Sequence, residues 1–409
     1  MSASGRIITS FNRSVLGNYG RIPVAFVRGR GAYIWDADGR KYLDFFPGWG
    51  VGLAGHCPPA VVQAIKKQAD RLIFIANSYY HAQQGELAAQ LTRLAGFPSR
   101  VFFCNSGAEA NEAAIKMARR WFQVVKGEKR YEIVTVKDSF HGRTLAALAA
   151  TGQPKYHKGF APLPAGFKHI PLEDIRAARK AIGKRTAAVL IETILGEGGV
   201  RVPSPAYLKA LRGLTRAQGA LLIFDEVQAG GGRTGSFFAF KQSGVIPDAV
   251  TLAKPLAGGL PMGALLLNAK FASALTPGTH ASSFGGGPLV CAAALAAVKV
   301  ASAPRTLAKV REMGKVIRAG LEGIARRHPH LVKEVRGRGL MLGMELNRPG
   351  AGVVNRCLAM GLLINCTHDT VIRMLPPLVI TRKEIAVAMD ILERALSAET
   401  APAVYRPRV

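Results

Sequence analysis

The amino-acid sequence predicts an α/β protein in which a mainly parallel central sheet is covered by helices and accompanied by a smaller α+β domain. Short apolar runs recur between longer amphipathic segments, and most of these runs lack the alternation of a half-buried strand. Such runs are typical of parallel strands that helices cover on both faces. At 409 residues the chain also exceeds the size that one hydrophobic core usually organises, which favours more than one domain.

The predicted elements follow in order along the chain. In the first 56 residues, Asp38-Gly39 lies between Trp35 and Tyr42 in an alternating segment, which predicts a β-hairpin. From Pro58 onward the predicted helices are PPAVVQAIKKQADRL, EANEAAIKMARRWF and AYLKALRGLTRAQG, and the predicted strands are RVFFC, YEIVTV, TAAVLIET, ALLIFD and DAVTLA. After about residue 300, a long helix and the segments VRGRGLMLGMEL, LLINC and VIRMLPPL predict the smaller domain.

Domain boundaries are expected where these patterns change. We expect residues 1–56 to contribute to the small domain, residues 57–300 to form the large domain, and residues 301–409 to form the C-terminal part of the small domain. Neither an internal repeat nor a low-complexity linker interrupts these ranges.

The composition argues against several classes of protein. The first twenty residues contain no apolar core of signal-peptide length, and no apolar run approaches a membrane span, so we expect a soluble, cytoplasmic protein without a membrane partner. The five cysteines never form a Cys-x-x-Cys pair and the nine histidines show no zinc-binding spacing. Neither a disulfide framework nor a metal site is therefore expected.

The charge is strongly positive, because 55 lysines and arginines stand against 26 acidic residues and give a net charge of +29. These basic residues are spread along the whole chain and form no long tail. Three interpretations stay open: a solvated basic surface, an attraction for anionic small molecules, or incidental affinity for polyanions such as nucleic acid, without a specific nucleic-acid partner.

Chemically useful side chains collect where the predicted strands end. Ligands of parallel sheets bind at the carboxyl ends of the strands, so a site is expected there. The residues that follow or end the predicted strands are Ser106, Phe140, Arg143, Glu192, Asp225 and Lys254.

Ser106 begins the sequence Ser-Gly-Ala-Glu, which has the form of a capping box with Glu109 and starts a helix. A helix N-terminus with small residues exposes free N–H groups and a positive dipole end, which suits a phosphate group. An ordinary capped helix explains the same residues, and both interpretations stay open at this point.

Lys254 and Asp225 form the most informative pair. A desolvated lysine can lose its proton and attack a carbonyl, although a surface lysine at a strand exit fits Lys254 taken alone. Asp225 ends an apolar strand and needs a cationic or hydrogen-bonding partner. A nucleophilic lysine beside a carboxylate that keeps a ring nitrogen protonated is what pyridoxal 5'-phosphate (PLP) requires. The pair therefore predicts PLP, with Phe140 stacked on its ring and the glycines after Asp225 leaving room for it.

Nine segments distributed over nearly the whole chain resemble the class III PLP-dependent aminotransferases of the acetylornithine/ornithine type. This resemblance implies fold type I, the fold of aspartate aminotransferase. The segments, in the family's order, are NYGRIPVAFVRGRGAYIWDADGRKYLDF, FFCNSGAEANEAAIKMAR, SFHGRT, TGQPKYHKGF, GEGGV, LLIFDEVQAGGGRTG, TLAKPLAGGLPMGA, PGTHASSFGG and VIRMLPPL.

The resemblance implies a role for each cofactor-binding residue. Lys254 binds PLP covalently and then moves a proton between substrate and cofactor, while Asp225 pairs with the pyridine nitrogen. The remaining cofactor contacts implied by the family are the Gln228 side chain near the ring hydroxyl, Phe140 on the ring face, and Ser106, Gly107 and Ala108 at the phosphate.

The resemblance also implies a homodimer with active sites at the subunit interface. In the family a Ser-Thr pair reaches the neighbouring subunit's phosphate and substrate; here Ser282 and Ser283 occupy those positions. Arg143 and Arg373 are the implied substrate-carboxylate clamps, and a guanidinium fork suits that task. The other implied substrate contacts are Glu197, which pairs with the second arginine when no second carboxylate is present, and Tyr19.

Besides Ser283, which replaces the usual threonine, four positions depart from the family pattern. Ala229 and Gly231 stand where threonine and a larger residue are usual, Pro255 replaces glycine directly after the lysine, and Gly287 replaces asparagine. Pro255 biases the backbone of Lys254 away from the α region. None of these changes removes a catalytic group, but each can alter the shape of the pocket.

The function implied is transfer of the ω-amino group of N-acetylornithine to 2-oxoglutarate by a ping-pong mechanism, in arginine biosynthesis. Alternative donors are succinylornithine, ornithine, 4-aminobutyrate and carrier-bound lysine. More distant alternatives are a PLP-dependent aminomutase or racemase and, because of the charge, a basic nucleic-acid-binding protein.

Overall fold

The structure is a computed structural model that describes residues 2–398. Within this range the chain forms two compact units, one made of residues 2–58 and 309–398 and the other of Pro59–Ala308. The last part of the predicted C-terminal range, residues 399–409, lies outside the described residues.

The N-terminal part of the first unit contains one helix and a three-stranded meander, α1 Ala3–Ser14, β1 Phe26–Arg30, β2 Tyr33–Asp36 and β3 Lys41–Asp44. The predicted hairpin is confirmed: β2 and β3 are antiparallel, with Tyr33 opposite Leu43. Gly39 in its turn has φ +85°, a conformation that favours glycine.

The second unit contains eight helices and seven strands among the described residues. The helices are α2 Pro59–Ala69, α3 Ala82–Ala95, α4 Gly107–Arg120, α5 Leu145–Ala150, α6 Pro154–His157, α7 Ile175–Ala181, α8 Pro205–Gln218 and α9 Pro288–Ser302. The strands are β4 Ser99–Cys104, β5 Glu132–Val136, β6 Phe167–Ile170, β7 Thr186–Glu192, β8 Leu221–Asp225, β9 Ala249–Leu252 and β10 Gly263–Asn268.

The C-terminal elements complete the first unit, after a long helix that begins before its boundary. They are α10 Pro304–Arg327, β11 Val332–Arg338, β12 Met341–Leu346, α11 Ala351–Ala359, β13 Leu362–Leu363, β14 Asn365–Thr367, β15 Val371–Met374 and α12 Arg382–Ser397. Two four-stranded sheets result, in the orders β1-β2-β3-β13 and β11-β12-β15-β14. Short 3-10 or π turns add Pro47–Gly50, Trp121–Val125, Ala239–Ser243 and Ala269–Ala274.

The large sheet of the second unit has the order β4-β10-β9-β8-β7-β5-β6. All its neighbouring pairs are parallel except those of β10, which runs antiparallel between β4 and β9. The mainly parallel sheet is therefore confirmed, although β10 itself was not predicted. Every residue of β7 and β8 is buried, and α4 packs Met117 against a core that includes Ile133 and Leu190.

Among the described residues no single helix is long and apolar enough to cross a membrane. One bent pair, α9 with α10, passes that test by length and composition alone.

Candidate active site

The residues expected at strand ends meet at one edge of the large sheet. Glu192 ends β7 and pairs in register with Asp225, the last residue of β8, and Asp225 pairs in turn with Thr251 on β9. Lys254 follows two residues after the end of β9 and is half-buried. Because these strands are parallel, all four residues belong to the carboxyl-terminal edge, where open α/β sheets bind ligands.

Three protein donors fix the carboxylate of Asp225, which is almost fully buried. Its Oδ2 accepts hydrogen bonds from Asn111 Nδ2 at 2.7 Å and from His141 Nδ1 at 2.8 Å. Its Oδ1 accepts one from the backbone N–H of Val227 at 2.9 Å. Donors on both oxygens fix the plane of the carboxylate, which suits a group that must meet its partner at a set angle.

Asn111 and His141 are site residues to which the sequence analysis gave no role. Asn111 Nδ2 also donates to the backbone carbonyl of His141 at 2.7 Å, and Asn111 Oδ1 accepts from Thr251 Oγ1 at 2.8 Å. The available signal for Asn111 was its position on the helix face that otherwise carries apolar residues such as Ala114 and Ile115. A buried amide needs partners for both of its polar atoms, so this position indicated a buried polar network.

At the start of α4 the expected capping box differs in one contact. Ser106 Oγ accepts from the backbone N–H of Glu109 at 3.2 Å, as an N-cap does. The Glu109 carboxylate, however, accepts from the backbone N–H of Asn105 at 2.5 Å rather than from the cap residue. The side-chain amide of Asn105 donates to the same carboxylate at 3.3 Å, so two donors draw it to that residue.

The first turn of α4 approaches the loop after β8 closely. A Cβ on Gly107 would lie 2.6 Å from Val227 Cγ1, so glycine is required at this position. Ala108 follows as a half-buried residue of the same turn. The predicted phosphate-binding backbone and the loop of Asp225 are therefore neighbours.

Phe140 and Arg143 lie in the segment between β5 and α5 and share an aromatic neighbour. The ring of Phe140 meets the ring of Tyr156 edge-on, with centroids 5.8 Å apart. The guanidinium carbon of Arg143, an exposed residue, lies 4.1 Å from the Tyr156 centroid and 5.4 Å from the Phe140 centroid. These cation–π contacts hold the predicted carboxylate clamp beside the predicted ring-stacking residue.

The loop after β7 lies against Gln228. A Cβ on Gly196 would lie 1.9 Å from Gln228 Oε1, so the backbone of this loop touches the side chain expected near the cofactor's ring hydroxyl. Glu197, the expected switch acid, is the next residue and is half-buried. A Cβ at Gly196 would force the end of the Gln228 side chain to move away.

Glu192 is a second buried acid beside Asp225. Its Oε1 accepts from the backbone N–H of Phe140 at 2.9 Å, and its Oε2 accepts from that of Gly196 at 3.0 Å. Burial raises the pKa of Glu192 to about 7; His141 opposes this shift and the charge of Asp225 adds to it.

Ser282 and Ser283 lie in the segment before α9. Ser282 Oγ accepts from Asn105 Nδ2 of the same chain at 3.2 Å and from the backbone N–H of Gly285 at 3.1 Å. Ser283 is exposed. The pair is therefore tied to the end of β4 through Ser282 and presents Ser283 outward.

Two predicted substrate residues, Arg373 and Tyr19, belong to the other unit. Arg373 on β15 is fully buried, and its Nε and one terminal nitrogen donate to Asn365 Oδ1 at 3.1 and 2.8 Å. Its guanidinium carbon also lies 5.0 Å from the centroid of the Phe46 ring. Tyr19 is exposed and lies beside the guanidinium of Arg21.

The comparison with known proteins decides the family. The family of class-III aminotransferases matches residues 16–396. The chain belongs to the class-III aminotransferases. It is 50% identical over 379 residues to the acetylornithine aminotransferase of Methanocaldococcus jannaschii, which covers 93% of this chain and 95% of that protein. It is 47% identical over 392 residues to that of Caldanaerobacter subterraneus subsp. tengcongensis, with coverage of 96% and 99%.

A solved structure agrees. The ornithine aminotransferase of Toxoplasma gondii, crystallised with partial occupancy of PLP at its active site, matches this chain with a TM-score of 0.92 and 33% identity, over 96% of this chain and 94% of that one. The predicted family, fold type, enzyme class and cofactor are confirmed by these matches.

The residues of this class-III site fit PLP. Asp225 offers a carboxylate of fixed orientation for the ring nitrogen, and the strand-end lysine lies on the same sheet edge. Gly107 and Gly196 let the side chains of Val227 and Gln228 pack closely against the start of α4 and the loop after β7. A helix N-terminus suits the phosphate.

The glycines that follow Asp225 have a different reason from the expected one. A Cβ on Gly230 would lie 2.5 Å from Leu252 Cδ2, and one on Gly232 would lie 2.9 Å from the carbonyl oxygen of Ala301. These glycines therefore make room for the protein's own chain, as Gly107 and Gly196 do for the side chains of Val227 and Gln228.

Two departures from the class-III pattern have visible structural settings. Gly231 has φ +68°, a conformation in which a larger residue is strained. Gly287 occupies the N-cap position of α9 with extended backbone angles and supplies no side-chain cap. Nothing in the described contacts explains why Ala229 replaces threonine.

Proposed function

We propose that this chain transfers the ω-amino group of N-acetylornithine to 2-oxoglutarate in two half-reactions, as a cytoplasmic enzyme of arginine biosynthesis. The observation that carries the chemistry is Asp225, fixed by three donors on the same sheet edge as Lys254. The choice of donor is supported by similarity to proteins named acetylornithine aminotransferase at 44–50% identity.

When bound, PLP supplies an electron sink that lets an amino group and a proton leave one carbon of the substrate. Asp225 would keep the ring nitrogen protonated, and its three donors fix the orientation of its carboxylate. Lys254 would hold the cofactor between turnovers and, once released from it, would move a proton between the substrate carbon and the cofactor. Phe140 would cover one face of the ring, and Gln228 would contact the ring hydroxyl.

The remaining residues bind the substrate. Arg143 is the distal clamp, shared by the donor's α-carboxylate and the far carboxylate of 2-oxoglutarate. Arg373 is the proximal clamp for the carboxylate next to the reacting keto carbon. Glu197 pairs with Arg373 in the donor half-reaction, when no proximal carboxylate arrives, and Tyr19 contacts the donor. A planar guanidinium that binds a carboxylate with two parallel hydrogen bonds provides the required orientation.

We further propose a homodimer in which Ser282 and Ser283 contact the partner's phosphate and substrate. The segment before α9 and the segment after α2 together expose large apolar side chains, and such patches favour protein association. Asn77 ties the two segments by donating to the carbonyls of Ser282 and Gly285 at 3.0 and 2.9 Å. The exposed apolar residues of the two segments are Ile73, Phe74, Tyr79, Tyr80 and Phe284.

A panel of ω-amino donors tests the proposal. Each donor is mixed with the PLP form of the protein in a single turnover, and the conversion of the absorbance to that of the pyridoxamine form is followed. N-acetylornithine is expected to convert the protein fastest, and 2-oxoglutarate to restore the starting form. Faster conversion by succinylornithine, ornithine, 4-aminobutyrate or a carrier-bound lysine would replace the proposed donor. Turnover without any 2-oxo acid would indicate an aminomutase or racemase.

Variants of the two arginines test their separate roles in the two half-reactions. Arg143→Ala is expected to slow both half-reactions, whereas Arg373→Ala slows the 2-oxoglutarate half far more than the donor half. Loss of a desolvated arginine–carboxylate contact costs roughly 2–5 kcal/mol, about thirtyfold or more in rate. Equal damage to both halves by Arg373→Ala would contradict the assignment.

A further inference from the structure

Glu192 has no part in the chemistry described above, yet its carboxyl group is buried beside a second acid at the edge of the sheet. It is almost fully buried and is the direct register partner of Asp225. Two acids buried side by side disfavour each other's charged forms. An apolar residue would end β7 without this cost, so the carboxylate must make contacts that an apolar residue cannot.

Those contacts join two loops. Oε1 accepts from the backbone N–H of Phe140, in the loop after β5, and Oε2 accepts from the backbone N–H of Gly196, in the loop after β7. A carboxylate has two acceptor oxygens and no donor, so it can receive both N–H groups at once. A glutamine or a protonated acid turns one of those acceptors into a donor.

Each loop carries groups that the cofactor site needs. The loop after β5 contains Phe140 and also His141, which contacts Asp225 at 2.8 Å. The loop after β7 presses Gly196 against Gln228, where a Cβ would lie 1.9 Å from Oε1. One buried carboxylate thus fixes the ring-stacking residue, a support of Asp225 and the neighbour of Gln228.

We propose that Glu192 is a positioning residue that ties the Phe140 loop to the Gly196 loop and so preforms the ring-binding part of the site before PLP arrives. The identity of the ligand rests on the proposed function, whereas the tie itself is a property of the protein alone. Glu192 acts through the two backbone amides and need not touch the cofactor. Its expected effect is on how tightly the cofactor binds, because preorganised loops lose less entropy on binding.

Hydrogen exchange of the apo protein tests the tie directly. In Glu192→Gln the side-chain NH₂ faces one of the two backbone N–H groups, so at least one of the amides of Phe140 and Gly196 is expected to exchange tenfold or more faster than in the wild type. The amide of Val227, which donates to Asp225, is expected to keep its rate.

Glu226→Gln is the matched control for the exchange measurement. Glu226 is a neighbouring buried acid that also accepts two backbone N–H groups, those of Ala239 at 2.8 Å and Phe240 at 2.6 Å. The same chemical change there should speed exchange at Ala239 or Phe240 and leave Phe140 and Gly196 at wild-type rates. A general loosening of the fold would speed all four amides in both variants.

Cofactor binding and kinetics complete the test. PLP added to the apo forms is expected to bind Glu192→Gln tenfold or more weakly, while kcat at saturating PLP stays within about threefold of wild type. Wild-type exchange at both Phe140 and Gly196, or unchanged PLP affinity despite faster exchange, would overturn the proposal. A hundredfold loss of kcat at saturating PLP would also overturn it, because Glu192 would then act in the chemistry.

Glu192→Asp keeps the test decisive if the glutamine variant fails to fold. It retains both oxygens and the charge but withdraws them by one methylene group, so intermediate exchange rates and intermediate PLP affinity are expected. Wild-type values for both quantities would count against the tie. If the wild type shows no transamination while the exchange pattern appears as described, the proposed function fails and the tie stands.

Discussion

Asp225 combines a predictable residue with contacts that the sequence did not reveal. Its position at the end of a strand was predictable, because five apolar residues precede it. Burial of an acid without a partner is costly, so a partner was expected as well. Its donors, Asn111 and His141, come from positions 114 and 84 residues away in the chain. Side-chain pairing over such separations depends on how the strands and helices pack, so local patterns could not supply it.

Replacing Asp225 with asparagine tests its role at the ring nitrogen. The amide cannot hold that nitrogen protonated, so PLP becomes a weak electron sink. We expect Asp225→Asn to bind PLP and to lose at least about a hundredfold in kcat, ~2.7 kcal/mol of transition-state stabilisation, with a small change in KM. Steady-state assays measure both quantities. Near-normal kcat would reduce Asp225 to a structural residue of the strand end.

The raised pKa of Glu226 makes the free energy of unfolding depend on pH. Burial raises its pKa to about 8 from the ordinary 4.5. A raised pKa means that the folded state favours the protonated acid, so this group's stabilising contribution is full below pH 4.5 and is lost as the pH rises through 8. One such group changes the unfolding free energy by at most about 1.4 kcal/mol per pH unit.

Glu226→Gln isolates that contribution, because glutamine does not titrate. The unfolding temperature of the apo wild type, relative to that of the variant at the same pH, is expected to fall steadily between pH 5 and pH 8. Differential scanning calorimetry at three pH values measures it. A difference that stays constant across this range would show that Glu226 keeps an ordinary pKa.

Helices and strands were predictable where the local residue pattern agreed with the arrangement of a parallel sheet. The parallel strands were predictable because they are apolar runs. Their carboxyl ends share one edge of the sheet, and the residues at the strand ends lie on that edge as expected. Strand β10 was missed because GALLLN follows a Gly/Pro-rich turn, and its antiparallel direction depends on pairing with β4 and β9. The capping box at Ser106 differed because Asn105 supplies two competing donors.

The helix α9 begins without a side-chain cap. Gly287 is its N-cap, with φ −61° and ψ 161°, angles that any residue adopts. A Cβ there meets only ordinary contacts, the nearest at 3.7 Å. Gly287→Asn therefore adds a cap worth a few tenths of a kcal/mol and removes about 0.4–1 kcal/mol of unfolded-state entropy.

We expect Gly287→Asn to raise the unfolding temperature by roughly 1–3 °C. Gly287→Ala is the matched control, because it brings the same backbone restriction without a capping oxygen. The difference between the two variants measures the cap. If the asparagine variant is no more stable than the alanine variant, the side chain does not cap α9.

The net charge of +29 has no role in the proposed reaction. Spread cations attract polyanions without reading their sequence, and such binding weakens steeply with salt. We expect retention on heparin at low salt, release at moderate salt, and equal affinity for DNA duplexes of unrelated sequence. Fluorescence anisotropy with two duplexes measures this. A marked sequence preference would revive a nucleic-acid function.

The proposed dimer can be tested by combining two inactive variants in one dimer. If Ser282 and Ser283 serve the partner's site, a site combines Lys254 of one subunit with the serines of the other. Lys254→Ala and a Ser282→Ala/Ser283→Ala double variant are each expected to be nearly inactive.

In a mixed dimer of these two variants, one site carries both defects and the other carries none. Mixing the two inactive proteins under conditions of subunit exchange should therefore restore activity, up to one quarter of the wild-type value per total subunit at equal amounts, because half the dimers are mixed and half their sites are intact.

Mass spectrometry of the mixture verifies that subunits have exchanged. Mixing each variant with itself is the control, and borohydride labelling of the restored dimer should mark Lys254 only on the serine-variant subunit. Restoration requires that the two groups act across the interface, since a site built within one subunit would stay defective in every combination. Verified exchange without recovery would place the serines in their own subunit's site or outside it, and would leave Ser282 as a support for Asn105, to which it is bonded at 3.2 Å.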